Sequence, residues 1–119
     1  MAGFRGDCKL TSAGKTVACE SVIYMHFRAN GRTNFGAVVD EDTMTSFSGG
    51  NDDQPKRTEY WLEVDRVLQG RAGEVSEFPG KGRCDLKISE DGSIVHELVC
   101  RAMIEGGPVE LRFSGSRSN

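Results

Sequence analysis

The sequence predicts an all-β domain, either an antiparallel β-sandwich or a small barrel of about seven to eight strands. Three observations carry this expectation. Nearly every patterned stretch alternates apolar and polar residues with the two-residue period of a half-buried strand. The four cysteines sit symmetrically about glycine turns. The 15 glycines gather in those turns and in two further glycine-rich segments.

Residues 7–12 and 15–20 read as a first hairpin about Ala13-Gly14, which sets Leu10 against Val17 and Cys8 against Cys19. Residues 21–29 are rich in β-branched and aromatic side chains. Asn30-Gly31 is a strong hairpin signal, and 32–39 returns. A two-residue turn there would oppose Val22 to Val39, Tyr24 to Ala37 and His26 to Phe35. After the turn Asp40-Glu41-Asp42 comes a short strand, 43–48. Residues 49–56 contain most of the loop-forming residue types and are expected to be a loop. Residues 57–68 alternate as a strand, and 69–82, with four glycines and a proline, read as a second long loop.

The last third is a three-strand meander. Cys84, Leu86 and Ile88 share one face, continued by Ile94, His96, Leu98, Cys100, Ala102 and Ile104. A turn in Glu90-Asp91-Gly92-Ser93 would set Cys84 against Cys100, Leu86 against Leu98 and Ile88 against His96. Gly106-Gly107 then returns the chain, with Ile104 expected opposite Val109 and Cys100 opposite Phe113. The tail, Ser114 to Asn119, looks frayed. Gly6-Asp7-Cys8-Lys9-Leu10 parallels Gly82-Arg83-Cys84-Asp85-Leu86. The chain therefore reads as one domain, 1–119, with half-repeats 6–48 and 82–115 linked by strand 57–68 and the two loops. A duplication would give two three-strand meanders, each with its own hairpin disulfide; convergent hairpin patterning is the alternative.

Cysteines directly opposed in non-hydrogen-bonded antiparallel pairs have Cα atoms about 4.5 Å apart, within disulfide range. The expected bridges are Cys8–Cys19 and Cys84–Cys100. Free thiols in a reducing cytosol are one alternative. A four-cysteine metal site is another, but separations of 11 and 16 residues are not zinc-ligand spacing. Disulfides point to a periplasmic or secreted protein whose signal peptide has been removed, since Met1 to Asp7 lacks the features of one.

The length of 119 residues suits one domain with one modest core. The formal charge of −3 comes from interspersed acids and bases, so neither a disordered polyelectrolyte nor a nucleic-acid-binding stripe fits. No apolar run reaches the roughly 18 residues of a membrane helix. No nucleotide-binding, metal-binding or nucleophile motif occurs, and no cofactor is expected.

The candidate binding surface is Trp61 with Glu63 and Asp65, on the face of the 57–68 strand opposite Tyr60, Leu62 and Val64. A Trp among acids suits a sugar ring, a basic peptide or a protein partner, though it reads more simply as covering a sheet edge or filling a core corner after a bulge. Val22 to Phe27 is apolar on both faces, as for a central strand or a dimer surface. His26 and His96 could meet as a pair, but each reads more simply as a lone residue on an apolar stripe. Asp40-Glu41-Asp42 and Asp52-Asp53 are polar turns that lack the spacing of an EF-hand.

These residues lead to an extracytoplasmic, non-enzymatic binding or interaction module, a monomer or weak homodimer with a protein or carbohydrate partner. An inhibitor of a secreted hydrolase, presenting 49–56 or 69–82, is the nearest alternative. A hydrolase using Glu63 and Asp65, about 7 Å apart along a strand, is the enzymatic one.

Overall fold

The computed structural model describes residues 1–118 and, among them, ten strands and no helix. In chain order these are β1 (Ala2–Ser12), β2 (Lys15–Ala18), β3 (Ser21–Phe27), β4 (Arg32–Asp40) and β5 (Thr43–Gly49). They continue as β6 (Asn51–Lys56), β7 (Glu59–Arg71), β8 (Glu74–Ile88), β9 (Ile94–Ile104) and β10 (Gly107–Arg117). Eight of them close into an antiparallel barrel in the order β1-β3-β4-β5-β7-β8-β9-β10, with β10 pairing back onto β1. The closing ladder is long, from Phe4 opposite Arg117 to Ser12 opposite Val109. The expected choice between sandwich and barrel therefore resolves to a barrel, which leaves its eight members no open edge.

The two remaining strands lie off the ring for a shared reason. β1 offers one edge to two partners in succession, Ala2–Arg5 to β3 and Lys9–Ser12 to β2. The chain breaks between β2 and β3, where Cys19 N–H donates to Cys8 O and Glu20 N–H to Val38 O. The Cys8–Cys19 disulfide pins this fork, with Cα atoms 5.0 Å apart. In the same way β7 gives Arg66–Arg71 to β5 and Glu59–Glu63 to β6. Gly49 sits at that fork, where a Cβ would fall 1.8 Å from the Glu63 carbonyl oxygen.

Both disulfides form as the turn symmetry predicts, and Leu10 faces Val17, Cys84 faces Cys100 and Leu86 faces Leu98. Other registers differ. In the β3–β4 hairpin Tyr24 faces Phe35, His26 faces Thr33 and Val22 faces Ala37, two residues from expectation. A two-residue type I′ turn needs positive φ at both central positions, but here only Gly31 has it (69°), and the turn lengthens to 28–31. The β9–β10 turn is tighter than expected, with Gly107 opposite Ile104, which moves Val109 to Ala102 and Leu111 to Cys100. A bulge at Ile88 sets it against Val95 instead of His96. Shifts of two residues keep side chains on their expected faces, but the one-residue bulge does not: Val95 turns inward and is buried, whereas Ile94 and His96, expected on the inward stripe, are exposed.

The segments expected as loops are strands. Residues 69–82 belong to β7 and β8, joined by a turn in which Ala72 (φ 53°) and Gly73 (φ 84°) repeat the conformation of Ala13 (φ 52°) and Gly14 (φ 76°). Gly80 and Gly82 lie within β8 because β9 approaches so closely; a Cβ on Gly82 would be 1.9 Å from Arg101 O. Residues 51–56 form β6 against β7, with Pro55 tolerated on an edge strand. The tail is also ordered: Ser114–Arg117 continue β10, and Ser118 N–H bonds Gly3 O. Only the last residue of that tail, Asn119, lies outside the described residues.

The interior is mostly apolar, although Thr33, Asn34, Thr45, Ser46 and Ser48 are also buried. Phe47, Leu62, Val67, Cys84, Cys100 and Leu111 are fully buried and plug the middle of the barrel. Charged residues such as Lys9, Arg83, Asp85, Lys87, Arg101 and Arg112 face outward, the reverse of the pattern in a transmembrane barrel. No described helix is long and apolar enough to cross a membrane.

Candidate functional site

Above the central plug, at the end that carries the N-terminus, the β3–β4 turn and the β8–β9 turn, the barrel opens into a cavity of about 260 Å³. Its size is just below the usual range for small-molecule sites, roughly 300–1,000 Å³. Most wall residues arrive by strand alternation, joined by Gln54 of β6 and Gly92 of the β8–β9 turn. Phe4 comes from β1, Val22 and Tyr24 from β3, and Phe35 from β4. Tyr60 comes from β7, Leu86 and Ile88 from β8, Val95 and Leu98 from β9, and Phe113 and Arg117 from β10.

One wall is aromatic. Tyr24 and Phe35, opposed across the β3–β4 ladder, have centroids 5.5 Å apart, and Tyr60 meets them edge-on at 6.4 and 6.0 Å. Such tilted contacts suit the ring quadrupoles and hold the rings in fixed planes. Behind this wall runs a polar string. The Asp52 carboxylate accepts hydrogen bonds from the Tyr60 hydroxyl and, at 3.3 Å, from the Thr33 hydroxyl. Because Thr33 gives its only proton to Asp52, it accepts from His26 Nδ1, 2.9 Å away. His26 is thereby fixed as an Nδ1–H donor. The Thr33–Asp52 bond also ties β6 to β4 across the gap where β5 and β6 part.

Burial, and secondarily the Asp52 charge, push the Tyr24 phenol above its ordinary pKa. Tyr60 is raised further, by burial first and then by its bond to Asp52. Both tyrosines are therefore neutral hydroxyls at any physiological pH, suited to hydrogen bonding.

The opposite end has a wider opening of about 670 Å³ where β2 splays from β4, lined by Ser12, Lys15, Asp40, Thr45, Gln69 and Arg71 among others. It has no aromatic wall and mixes both signs of charge.

The sequence-derived surface lies elsewhere. Trp61 is on the outer face of β7, half-buried, with the Arg83 guanidinium 5.0 Å from its ring centre. Glu63 accepts from Asn51 Nδ2 at 2.9 Å. Asp65 is held by Arg32, whose Nη1 is 3.1 Å away, and by Arg66; the Arg32 bond above all holds this carboxyl below its ordinary range. Thus β7 places Trp61, Glu63 and Asp65 on one outer face, each with its own partner from another residue. Neither carboxylate lines the aromatic cavity. His26 and His96 stand on β3 and β9, which are not neighbours in the barrel. Asp52 belongs to the polar string, and Asp53 accepts from the Gln54 backbone N–H. Among the described residues no group of three or more His, Cys, Asp or Glu could hold a metal ion. On the outer face of β3, Ile23 and Met25 are half-buried and Phe27 is exposed.

Sequence reasoning missed the cavity because a register two residues off separated Tyr24 from Phe35. The alternation that put Tyr60 on the face of Leu62 and Val64 was the usable signal. A tyrosine at the end of an inward stripe marks a mouth, where its hydroxyl needs a polar partner.

Fold and site together define a small closed antiparallel barrel whose interior is plugged in the middle and open, with an aromatic wall, at one end. Comparison with known protein families, characterised proteins and solved structures finds no match to this chain.

Proposed function

We propose that this protein is a non-enzymatic binding domain of an oxidising, extracytoplasmic compartment, and that its barrel mouth holds a small, largely apolar molecule. The observation that carries the reading is the aromatic-walled cavity, a concave apolar site with a few convergent polar groups. The mouth of a closed barrel is a common place for such a site because the surrounding ladder fixes its walls in advance. Little ordering entropy is then lost on binding. The two disulfides support the compartment.

The inhibitor alternative has less support, since the loops it would present are paired strands and two-residue turns. The hydrolase alternative rests on Glu63 and Asp65, which are engaged with Asn51 and Arg32 on the outer wall. The test is a thermal-unfolding screen of the full oxidised chain against small aromatic and alicyclic compounds, with oligosaccharides alongside. A ligand at about 100 times its Kd stabilises by roughly 2.7 kcal/mol, which raises Tm by several degrees. A rise with apolar compounds that is lost in Val95→Trp, which fills the cavity, is expected. A rise with oligosaccharides alone would move the site to Trp61 and overturn the reading.

A further inference from the structure

The cavity's charge is lopsided, and the asymmetry bears on what it holds. Arg117, near the end of β10, is the one charged residue among the described residues that line it. Among the described residues Arg117 has no carboxylate within ion-pair distance; the same holds for Arg5, Arg28, Arg57 and Arg71, but none of those lines the cavity. Asp52, the nearest acid to the aromatic wall, stands behind Tyr60 and already accepts from the Tyr60 and Thr33 hydroxyls. It does not line the cavity. A molecule seated in the mouth therefore meets hydrocarbon and aromatic edges on most sides and one guanidinium at the rim. Among the described residues no carboxylate lines the cavity.

We propose that the ligand is a compact apolar monocarboxylic acid, its hydrocarbon body in the cavity and its carboxylate on Arg117. This inference rests on the cavity reading above and specifies the ligand's charge. Three physical points support it. A guanidinium is a planar fork that pairs two-pronged with a carboxylate. Its position at the rim leaves the ligand's charged end partly in water, so little desolvation opposes the pair. A cavity of about 260 Å³ suits an aryl-substituted or short branched acid better than a long-chain fatty acid. The backbone around Arg117 is fixed independently of its side chain: Arg117 N–H donates to Ser93 O at 2.7 Å, and the residue faces Phe4 across the closing ladder. Replacing the side chain should therefore leave the barrel intact.

The test is calorimetric titration of the full oxidised chain with three near-isosteric probes: phenylacetate (anion), phenylacetamide (neutral) and phenethylamine (cation). Phenylacetate is expected to bind about tenfold more tightly than the amide, as for one charge-assisted contact, with the amine weakest. In Arg117→Gln the acid should fall to the level of the amide while the amide is unchanged, and Arg117→Lys should recover part of the difference. An acid no tighter than the amide, a tighter amine, or a preference that survives Arg117→Gln would each overturn the assignment of an anion. In those cases binding of the amide would leave the cavity reading standing. If none of the three probes binds, and no apolar compound in the thermal screen does either, the cavity reading falls as well.

Discussion

At the scale of single residues, the cavity wall depends on one carboxylate. Asp52 fixes Tyr60 directly and His26 through Thr33. The chain's two tyrosines both belong to this wall and both have raised pKa values. The sign follows from which state keeps the proton. Unfolded phenols ionise near 10.0, and the folded ones higher. Their contribution to stability is therefore complete below pH 10 and is withdrawn as pH rises towards the folded-state values. The ultraviolet absorbance of tyrosinate should stay low through pH 10 and appear together with unfolding. In Asp52→Asn the charge that opposes ionisation is gone, so tyrosinate should appear at lower pH. Titration at the ordinary phenol pKa in the folded wild type would contradict the buried wall. Much of this was within reach of the sequence, where the inward placement of Tyr60 was legible. The role of Asp52 was not, because it depends on a side-chain hydrogen bond from Thr33 of β4 to β6, a long-range contact that no local pattern encodes.

At the scale of elements, the two staples do different work. Cys8–Cys19 holds the fork between β2 and β3, and Cys84–Cys100 lies fully buried across β8 and β9 in the central plug. Loops of these lengths imply roughly 3 kcal/mol from each bridge through the unfolded state. All four cysteines are buried, but Cys84 and Cys100 are wholly enclosed while Cys8 and Cys19 keep a little exposure, so replacing Cys84 and Cys100 together by Ala should cost more than the same change at Cys8 and Cys19. Denaturant unfolding of the two double variants measures the order; equal costs would contradict the placement of Cys84–Cys100 in the plug. Two glycines give a sharper contrast. A Cβ on Gly82 would strike the backbone of Arg101 and Ala102, whereas one on Gly36 meets only the Met44 and Ser46 side chains, at 3.0 and 3.1 Å. Gly82→Ala should cost over about 2 kcal/mol by parting β8 from β9, and Gly36→Ala should cost less than about 1 kcal/mol. Both disulfides were legible because each bridges one hairpin and turn symmetry is local. The loops expected at 49–56 and 69–82 show the limit of residue type as a guide. Glycine marks a turn at Gly73 but close strand approach at Gly82 and Gly49, and only the partner strand distinguishes the two uses. The pair Ala72-Gly73 was a readable turn signal, since Ala13-Gly14 is the same dipeptide in the same conformation.

At the scale of the whole molecule, closure links stability to function. The β1–β10 ladder leaves the eight ring strands no open edge, and the two forks let the off-ring edge strands β2 and β6 flank the openings at either end. The class, all-β with a sandwich or barrel, was legible from alternation. Closure was not, because the pairing of the first ring strand with the last spans nearly the whole sequence. The outer surface of β7, with Trp61, and the inner mouth, with Tyr24, Phe35 and Tyr60, are separate places on one wall, so a single experiment can discriminate them. That experiment is a heteronuclear NMR titration of the full oxidised chain with phenylacetate and its amide. The account predicts shifts at the side chains of Tyr24, Phe35, Leu86, Val95 and Phe113, with the Trp61 indole unmoved. Shifts centred on Trp61, or none in the cavity with either compound, would contradict it.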